Sequence, residues 1–571
     1  MKNKELAQMF ETIADVLEIQ GELVFKVRSY RKAARVLNDL TEDVETLSAE
    51  GRLDKVGGIG KATAEKIEEY LKTGKMKRYE EAVGSVPAGL LDMLKIPGMG
   101  PKTVALVNQK LKIESIAALA AAAKDGRLAA LPGMGAKKVE NILHGIELMQ
   151  KASGRMLLGE AMPIVRGIVE AMKQSGHVAQ IEPAGSLRRW KETIGDMDIL
   201  AAGKEPQKIV ETFTKGNWTI EVIASGKTKA SIRIGNNFQV DMRVVDAASF
   251  GSALQYFTGS KAHNVKLRDI AKAKGLKLNE YGVFKGEKQI AGRTEEEVYK
   301  AVGLPWIPPT LREDRGEIEA AQEGKLPRLV QLPDIQGDLH VHSKWSDGHA
   351  TIEEAALSAE ARGYKYIAIA DHTDSLRVFG GLSAEEVYKK KEEIEQLRKK
   401  IKGIQILCGV EVDIKSDGAL DYSDDVLKDL DVVTASIHSG FQQDEAKMTR
   451  RILSAMENPY VHIIGHPTGR LLNQREPYAL DMDAVLKKAA ETGTAMEVNA
   501  HYQRLDLSDV ACRRAKELGV KIAICTDTHH LENLDLMEYG IAVAQRGWLE
   551  KDDVINTWPI KKLQEFLHAK R

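Results

Sequence analysis

Six short apolar runs between Asp334 and Arg571 each lead into a histidine or an acid. This repetition constrains the fold more than any other feature of the chain. The first carries Asp338-Leu339-His340-Val341-His342-Ser343 and leads on to Ser346-Asp347-Gly348. Tyr366 to Ala370 ends in Asp371-His372, Ile406 to Val410 in Glu411-Val412-Asp413, and Val432 to Ile437 in His438. Val461 to Gly465 ends in His466, and Lys521 to Cys525 in Thr526-Asp527-Thr528-His529-His530. Helical segments such as Ile352 to Arg362 lie between them. Strand, polar residue and helix in alternation predict a mostly parallel sheet, closed into a barrel. In barrels the C-terminal strand ends carry the chemistry. His340 and His342 stand two apart and so project together from a strand end. Paired imidazoles suit zinc, manganese or iron. A lone histidine is more often structural, and recurrence at six strand ends is not. His349, His462, His501 and His530 fall outside the pattern and are read as ordinary. The mixed-sign run from Lys389 to Lys400 is read as a solvated helix face.

A chain of 571 residues, 43% hydrophobic and 29% charged, is long enough for several globular domains. Its net charge of -1 conceals an excess of Lys and Arg up to Pro333 and an excess of Asp and Glu after it. A basic front suits a polyanionic partner and an acidic rear suits metals. Only His144, His177 and His263 of the 14 histidines precede Pro333. Two chemistries are therefore expected, with a seam in the stretch from Pro305 to Pro333. Three cysteines, Cys408, Cys512 and Cys525, are too few for a disulfide framework and fit a reducing cytoplasm. No segment approaches the roughly 18 apolar residues of a membrane span, and the N-terminus lacks the apolar core of a signal peptide. The expectation is a cytoplasmic protein with no membrane partner.

In the front third one pattern occurs three times: Val56-Gly57-Gly58-Ile59-Gly60-Lys61, Ile96-Pro97-Gly98-Met99-Gly100-Pro101-Lys102 and Leu131-Pro132-Gly133-Met134-Gly135-Ala136-Lys137-Lys138. Each runs into a helical period. The glycines permit a tight turn, and the helix N-terminus behind them favours an anion. Such a cradle positions a duplex without reading its sequence. Three copies with adjacent lysines resemble helix-hairpin-helix motifs, which implies DNA contacts at Gly58, Gly60, Lys61, Gly98, Gly100, Lys102, Gly133 and Gly135.

The middle carries Ala184-Gly185-Ser186-Leu187-Arg188-Arg189, then Gly195-Asp196-Met197-Asp198-Ile199-Leu200. On a strand Asp196 and Asp198 share a face, which is costly unless a cation lies between them. Magnesium is the natural choice. Phe238 to Val245 alternates as a strand with Asp241 and Arg243 on one face. Three carboxylates on neighbouring strands can hold two metals for phosphoryl transfer.

The string from Gly185 to Asp198, with Tyr256-Phe257-Thr258-Gly259-Ser260 after it, closely resembles family X DNA polymerases. Leu278 to Gly282 and Val302 to Arg312 resemble the end of that family's thumb. The resemblance implies that Asp196, Asp198 and Asp241 bind two catalytic Mg2+ or Mn2+ ions. Gly185, Ser186 and Arg189 would hold the incoming triphosphate, with Arg155 a further candidate. Arg243 would sit beside the catalytic acid. Tyr256, Phe257 and Gly259 would lie under the nucleotide sugar, and Asn264 would contact the base. Lys261 and His263 depart from the residues usual in vertebrate members. The basic segment Phe25 to Ala34 resembles the family's small N-terminal domain. There Lys66 matches a lyase nucleophile, Lys26 and Tyr30 match supporting positions, and a further family lysine is replaced by Ala62.

The rear resembles the polymerase and histidinol phosphatase family, a distorted barrel with a trinuclear site for Mn2+, Zn2+ or Fe2+. Its ligand pattern matches His340, His342, Asp347, His372, Glu411, His438, His466, Asp527 and His529. The expected fold is multidomain α+β and α/β. A helix-hairpin-helix domain over 1–90 precedes fingers over 91–150 and a nucleotidyltransferase palm over 151–247. A thumb over 248–315, a linker over 316–333 and a (β/α)7-type PHP barrel over 334–571 complete it. The implied work is filling short gaps in base excision repair on gapped or primer–template DNA with dNTPs. The barrel would act on 3′ ends as a 3′–5′ exonuclease or phosphatase, or on abasic sites, in a monomer with movable halves. Two other readings stand beside it: a DNA-binding front fused to a small-molecule phosphatase, and a DNA-binding scaffold with both sites inactive.

Overall fold

The computed structural model describes residues 2–40, 44–96, 98–152 and 154–570. They fall into two units, Met1–Ser153 with Asn473–Arg475, and Gly154–Leu472 with Glu476–Arg571.

The first unit is helical up to residue 152. Its three glycine-rich turns lead into the helices Lys61–Thr73, Pro101–Leu111 and Ala136–Ala152. The apolar residue between each pair of glycines, Ile59, Met99 or Met134, is buried and anchors the turn. Gly58 has φ 107°, and a Cβ there would lie 2.8 Å from Val36. Gly60 and Gly100 are N-caps without a side-chain acceptor. The amides of Lys61, Ala62 and Lys102 in those first turns therefore stay open to an external acceptor, whereas those of Thr63 and Thr103 donate to the Gly60 and Gly100 carbonyls. Lys138 of the third turn donates to Thr103 behind the second at 3.3 Å. Pro97 lies outside the described residues.

The second unit opens on a five-stranded sheet: β1 (Gln180–Pro183), β2 (Met197–Ala202), β3 (Glu221–Ser225), β4 (Lys229–Ile234) and β5 (Phe238–Val245). The spatial order is β1-β2-β5-β4-β3. Only β2 and β5 pair in parallel; the other contacts are antiparallel. The alternation read from Phe238 to Val245 is real: Val240, Met242 and Val244 are buried, and Gln239, Asp241 and Arg243 face the other way. Two helices, Phe250–Thr258 and Lys261–Ala273, and a small antiparallel sheet follow.

Seven strands then form one parallel sheet in sequence order: β6 (Gly337–Val341), β7 (Tyr366–Ile369), β8 (Gln405–Asp413), β9 (Val432–Ser436), β10 (Ile463–Ile464), β11 (Ala495–Asn499) and β12 (Ile522–Cys525). The amide of His342 donates to the Thr528 carbonyl at 2.8 Å, which joins the two edges and nearly closes the barrel. Inward residues such as Leu339, Leu407 and Ile463 pack on Leu563 and Leu567 of the C-terminal helix Ile560–Ala569, which plugs one end. Each fully buried leucine there contributes about 1.5–3 kcal/mol.

The seven strands are those of the expected (β/α)7-type barrel, with β11 the one that none of the six apolar runs marked. Two sequence readings need correction. The stretch 316–333 is not an open tether: Glu317–Gln322 is helical, and its Ile318 and Ala321 share a core with Trp548 of the barrel. Their spacing places both on one helix face, and burying that face fixes the segment. The helix Ala384–Lys400 is not solvated throughout. Lys390 is fully buried, with its ammonium 3.1 Å from Asp371 and 2.8 Å from the Gly409 carbonyl.

Candidate active sites: an acidic triad and a histidine-rich cluster

The parallel register of β2 and β5 sets Asp198 opposite Asp241. Asp196 stands just ahead of β2. Burial, reinforced by the charges of Asp196 and Asp241, pushes the Asp198 carboxyl up to about 6. Asp241 is oriented by two donors, the Ser231 hydroxyl on β4 and the Gln239 amide at 2.9 Å. Three crowded carboxylates raise one another's charging cost, and a divalent cation with oxygen preferences removes it. The donor set therefore fits magnesium or manganese.

Gly185 has φ 61°, and a Cβ there would lie 2.4 Å from an Asp198 carboxylate oxygen. Only glycine lets the single helical turn Gly185–Arg188 come so close to the acids. Ser186 lies in that turn. Arg189 follows it and donates to the Thr258 carbonyl at 2.5 Å and to Glu313 at 3.0 Å. Arg155 donates to the Thr193 hydroxyl at 2.8 Å and reaches the side of Gly195. The rings of Tyr256 and Phe257 meet edge-on with centroids 5.1 Å apart, and the Arg243 guanidinium lies 4.7 Å over Phe257. Gly259, with φ 72°, ends that helix beside Arg189. The Asn264 amide donates to the Tyr256 carbonyl at 2.7 Å and accepts from Gln255 at 2.7 Å. Asn264 thus braces the Tyr256-Phe257 turn from behind. His263 is buried between Glu317 at 2.6 Å and the Tyr299 hydroxyl at 2.8 Å. Lys66, on the helix Lys61–Thr73 of the first unit, donates to the Ala62 carbonyl at 2.7 Å. Tyr30 stacks on Phe10 there, and Lys26 pairs with Glu22 at 3.0 Å.

In the barrel all nine predicted ligands converge. Glu411 is the hub and is 1% exposed. One oxygen lies 2.9 Å from His466 and 3.3 Å from His438; the other lies 2.9 Å from His372 and 3.5 Å from His340. Asp527 stands 3.2 Å from His342, and Asp347 stands 3.4 Å from His372 and 3.3 Å from His529. Three ligand groups emerge: His342 with Asp347, His372 and His529; His340 with His342 and Asp527; and His372 with Glu411 and His438. His340 Nε2, both nitrogens of His342 and both oxygens of Glu411 are buried without a hydrogen bond. Buried polar atoms left this way are costly. Nitrogen and oxygen donors aimed at common points fit transition-metal ions.

Of the groups that hold these ligands, the sequence marked Asp371 and Asp413 at strand ends without a role and left Glu497 and Asn499 unmarked. Glu497 on β11 accepts from His340 Nδ1 at 2.7 Å and from the His466 amide at 2.5 Å. Asn499 donates to Asp527 at 3.0 Å, and Asp413 lies 3.2 Å from His438 Nδ1. Asp371, charge-compensated by Lys390, accepts from Ser346 beside Asp347 at 2.8 Å. An acid inside the apolar run Ala495–Asn499 was the available signal for Glu497. Such partners fix ring orientation and tautomer.

Burial opposes charge on His340, His342, His372, His438 and His529. On His342 burial prevails, helped by His529 and His372, and the pKa falls to about 4. On His372, Glu411 and Asp347 outweigh burial and raise it to about 10; on His529, Asp347 and Asp527 raise it to about 9. Both rings are therefore protonated at pH 7 in the metal-free protein and must lose a proton to ligate. Loading with Mn2+ at pH 7 is expected to release roughly two protons or more. Calorimetric titration in two buffers of different ionisation enthalpy measures that number, and a release near zero would contradict the electrostatics described.

Comparison with known proteins places these features. A helix-hairpin-helix domain profile matches residues 1–76, and a SAM-like helix-hairpin-helix tandem profile matches 90–147. The DNA polymerase beta thumb matches 253–313, and the PHP domain matches 338–501. The chain is 40% identical over 571 residues to the DNA polymerase/3′-5′ exonuclease PolX of Bacillus subtilis, covering 99% of both chains. A probable phosphatase of Thermoanaerobacter is 34% identical over 252 residues, 41% of this chain and 95% of that protein. DNA polymerase lambda of Rattus norvegicus is 26% identical over 344 residues, 54% of this chain and 56% of that protein. With the acid triad, the hairpins and the histidine-lined barrel on one chain of matching length, the protein belongs to the PolX family of DNA polymerases and 3′-5′ exonucleases.

Proposed function

We propose that the chain fills short gaps in DNA during base excision repair, and that its barrel shortens DNA 3′ ends as a 3′–5′ exonuclease. The observation that carries the polymerase half is the register pairing of Asp198 with Asp241 beside Asp196. The open helix N-termini behind the three glycine turns hold the phosphates of gapped or primer–template DNA. Ser186, Arg189 and Arg155 receive the triphosphate of a dNTP. Tyr256, Phe257 and Gly259 line the place of its sugar, with Asn264 behind them and Arg243 beside the acids. Asp241, fixed by Ser231 and Gln239, faces the primer 3′-hydroxyl. Asp196, Asp198 and Asp241 would hold Mg2+ or Mn2+, and the nine barrel ligands would hold Mn2+, Zn2+ or Fe2+. Divalent cations there would supply Lewis acidity toward phosphate oxygens and make an attacking oxygen more acidic. Lys66 is the candidate nucleophile for abasic-site lyase chemistry, which borohydride trapping on a 5′-deoxyribose phosphate end would detect. The protein works as a monomer in the cytoplasm, at the nucleoid. Among the described residues no helix is long and apolar enough to cross a membrane.

A labelled primer on a one-nucleotide gapped duplex with manganese tests both halves. Extension with dNTPs and shortening without them are expected. Absence of extension in folded, metal-loaded protein refutes the gap-filling reading. A second reading, that the barrel hydrolyses small phosphomonoesters, is favoured by its match to 95% of a probable phosphatase. It gains if the primer is never shortened while a histidinol-phosphate-like ester is cleaved.

A further inference from the structure

Arg189, read above as a triphosphate contact, is not waiting in solvent. Its guanidinium is held by the Thr258 carbonyl and by one oxygen of Glu313. That same Glu313 oxygen accepts from Arg546, 3.0 Å away, at the end of the barrel helix Met537–Arg546. Arg546 also donates to the Arg189 carbonyl at 2.8 Å and to Asp509 at 2.7 Å, and Arg315 reaches the same Asp509 oxygen at 3.0 Å. Arg546 is 3% exposed. Next along the chain, Trp190 packs on Tyr539 with centroids 5.9 Å apart, and Glu192 pairs with Arg470 at 2.5 Å. The barrel therefore grips the segment that carries Arg189.

Two cations share one carboxylate oxygen, so each weakens the hold of the other. For a phosphate to engage Arg189, the guanidinium must leave Glu313. The charge left on Glu313 is then compensated chiefly by Arg546, with Lys191 further off, in a site too buried to leave it unpaired. We propose that Arg546 is a positioning residue of the polymerase site: through Glu313 it sets how readily Arg189 is released to the incoming nucleotide. The barrel thereby tunes nucleotide affinity at a centre to which it contributes no catalytic group. Without Arg546, Arg189 is the one cation left hydrogen-bonded to Glu313 among the described residues, and it is held more tightly. Without the Glu313 charge, Arg189 is held by the neutral Thr258 carbonyl only, and Arg546 has nothing to relay.

The proposal rests on the reading of Arg189, and steady-state gap filling by the full chain separates the two. Arg546→Met is expected to raise KM for dNTP about tenfold at little changed kcat, with 3′ shortening retained as the check that the barrel is folded. Glu313→Gln is expected to lower KM. The double variant should match Glu313→Gln, because without the Glu313 charge the loss of Arg546 has nothing to act through. An unchanged KM in Arg546→Met, or a rise that Glu313→Gln fails to reverse, overturns the proposal. If Arg546→Met does not fold, Glu313→Gln decides alone: a lower KM supports the relay and an unchanged KM overturns it. A wild-type KM in Arg189→Ala instead refutes the triphosphate role of Arg189 itself.

Discussion

Asp198→Asn is expected to abolish primer extension and, at the same time, to stabilise the metal-free protein. The substitution removes one carboxylate from a triad whose partners are Asp196 and Asp241. Loss of groups that merely support a metal ligand costs about 10–100-fold, so loss of the ligand itself should cost at least about a thousandfold. Shortening of the 3′ end, which uses none of these acids, should persist. The stability effect has the opposite sign because the Asp198 carboxyl is pushed from 3.8 to about 6 in the fold. Well below pH 3.8 it is protonated whether folded or unfolded, and it costs nothing. Between 3.8 and about 6 the unfolded chain ionises while the folded carboxyl resists a charge beside two others, and above about 6 the cost is fully present. At pH 7 that cost amounts to about 1–3 kcal/mol, and Asn escapes it. Urea unfolding with a chelator at pH 7 and pH 4 tests this. The variant should gain at pH 7 and lose most of that gain at pH 4. A loss at pH 7 would mean that the triad is compensated by something other than a cation.

Much of this site could be read from one chain. The spacing of Asp196 and Asp198, and the alternation around Asp241, are local patterns with period 2, and strands preserve them. The hairpin turns were equally legible, because each needs a glycine with positive φ and a buried Ile59, Met99 or Met134 between its glycines. The nine barrel residues could be picked out because they lie at or just after six apolar runs, some runs carrying two or three of them. What escaped is what depends on tertiary distance. Glu497 meets His340 across 157 positions of sequence, and Arg546 meets the Arg189 carbonyl across 357. Neither separation leaves a periodic trace. Lys390 was misjudged for a related reason. A lysine among lysines and glutamates looks solvated until the fold sets Asp371 and two carbonyls around its ammonium. The segment 316–333 looked like a tether because its apolar residues are sparse, although Ile318 and Ala321 suffice once Trp548 is opposite them.

Glu411→Gln in the barrel is the same chemical change as Asp198→Asn, and it is expected to act on stability in the reverse direction. Glu411 is not crowded by acids. Four imidazoles, on His340, His372, His438 and His466, lie within 3.5 Å of its two oxygens. Burial alone would raise its pKa, but His438, His340 and His372 outweigh burial and hold the carboxyl well below its ordinary value. A depressed carboxyl contributes stability above its unfolded pKa of about 4.5, and this contribution is lost as pH falls. Removing it at pH 7 leaves buried imidazolium charge without its main partner. Breaking a buried pair in this way costs about 3–5 kcal/mol, less whatever is recovered when the rings shed protons. His372, held at about 10, should then titrate measurably lower. The metal-free variant is therefore expected to unfold earlier in urea at pH 7 than wild type. Its 3′ shortening should drop by at least about a thousandfold, because a ligand rather than a supporting group is lost. Gap filling, proposed to depend on Asp196, Asp198 and Asp241, should survive wherever the chain remains folded. If shortening persists in Glu411→Gln, the barrel is not the seat of that activity. If the metal-free variant is as stable as wild type, the imidazoles are neutral and the proton release expected on manganese binding must be absent as well.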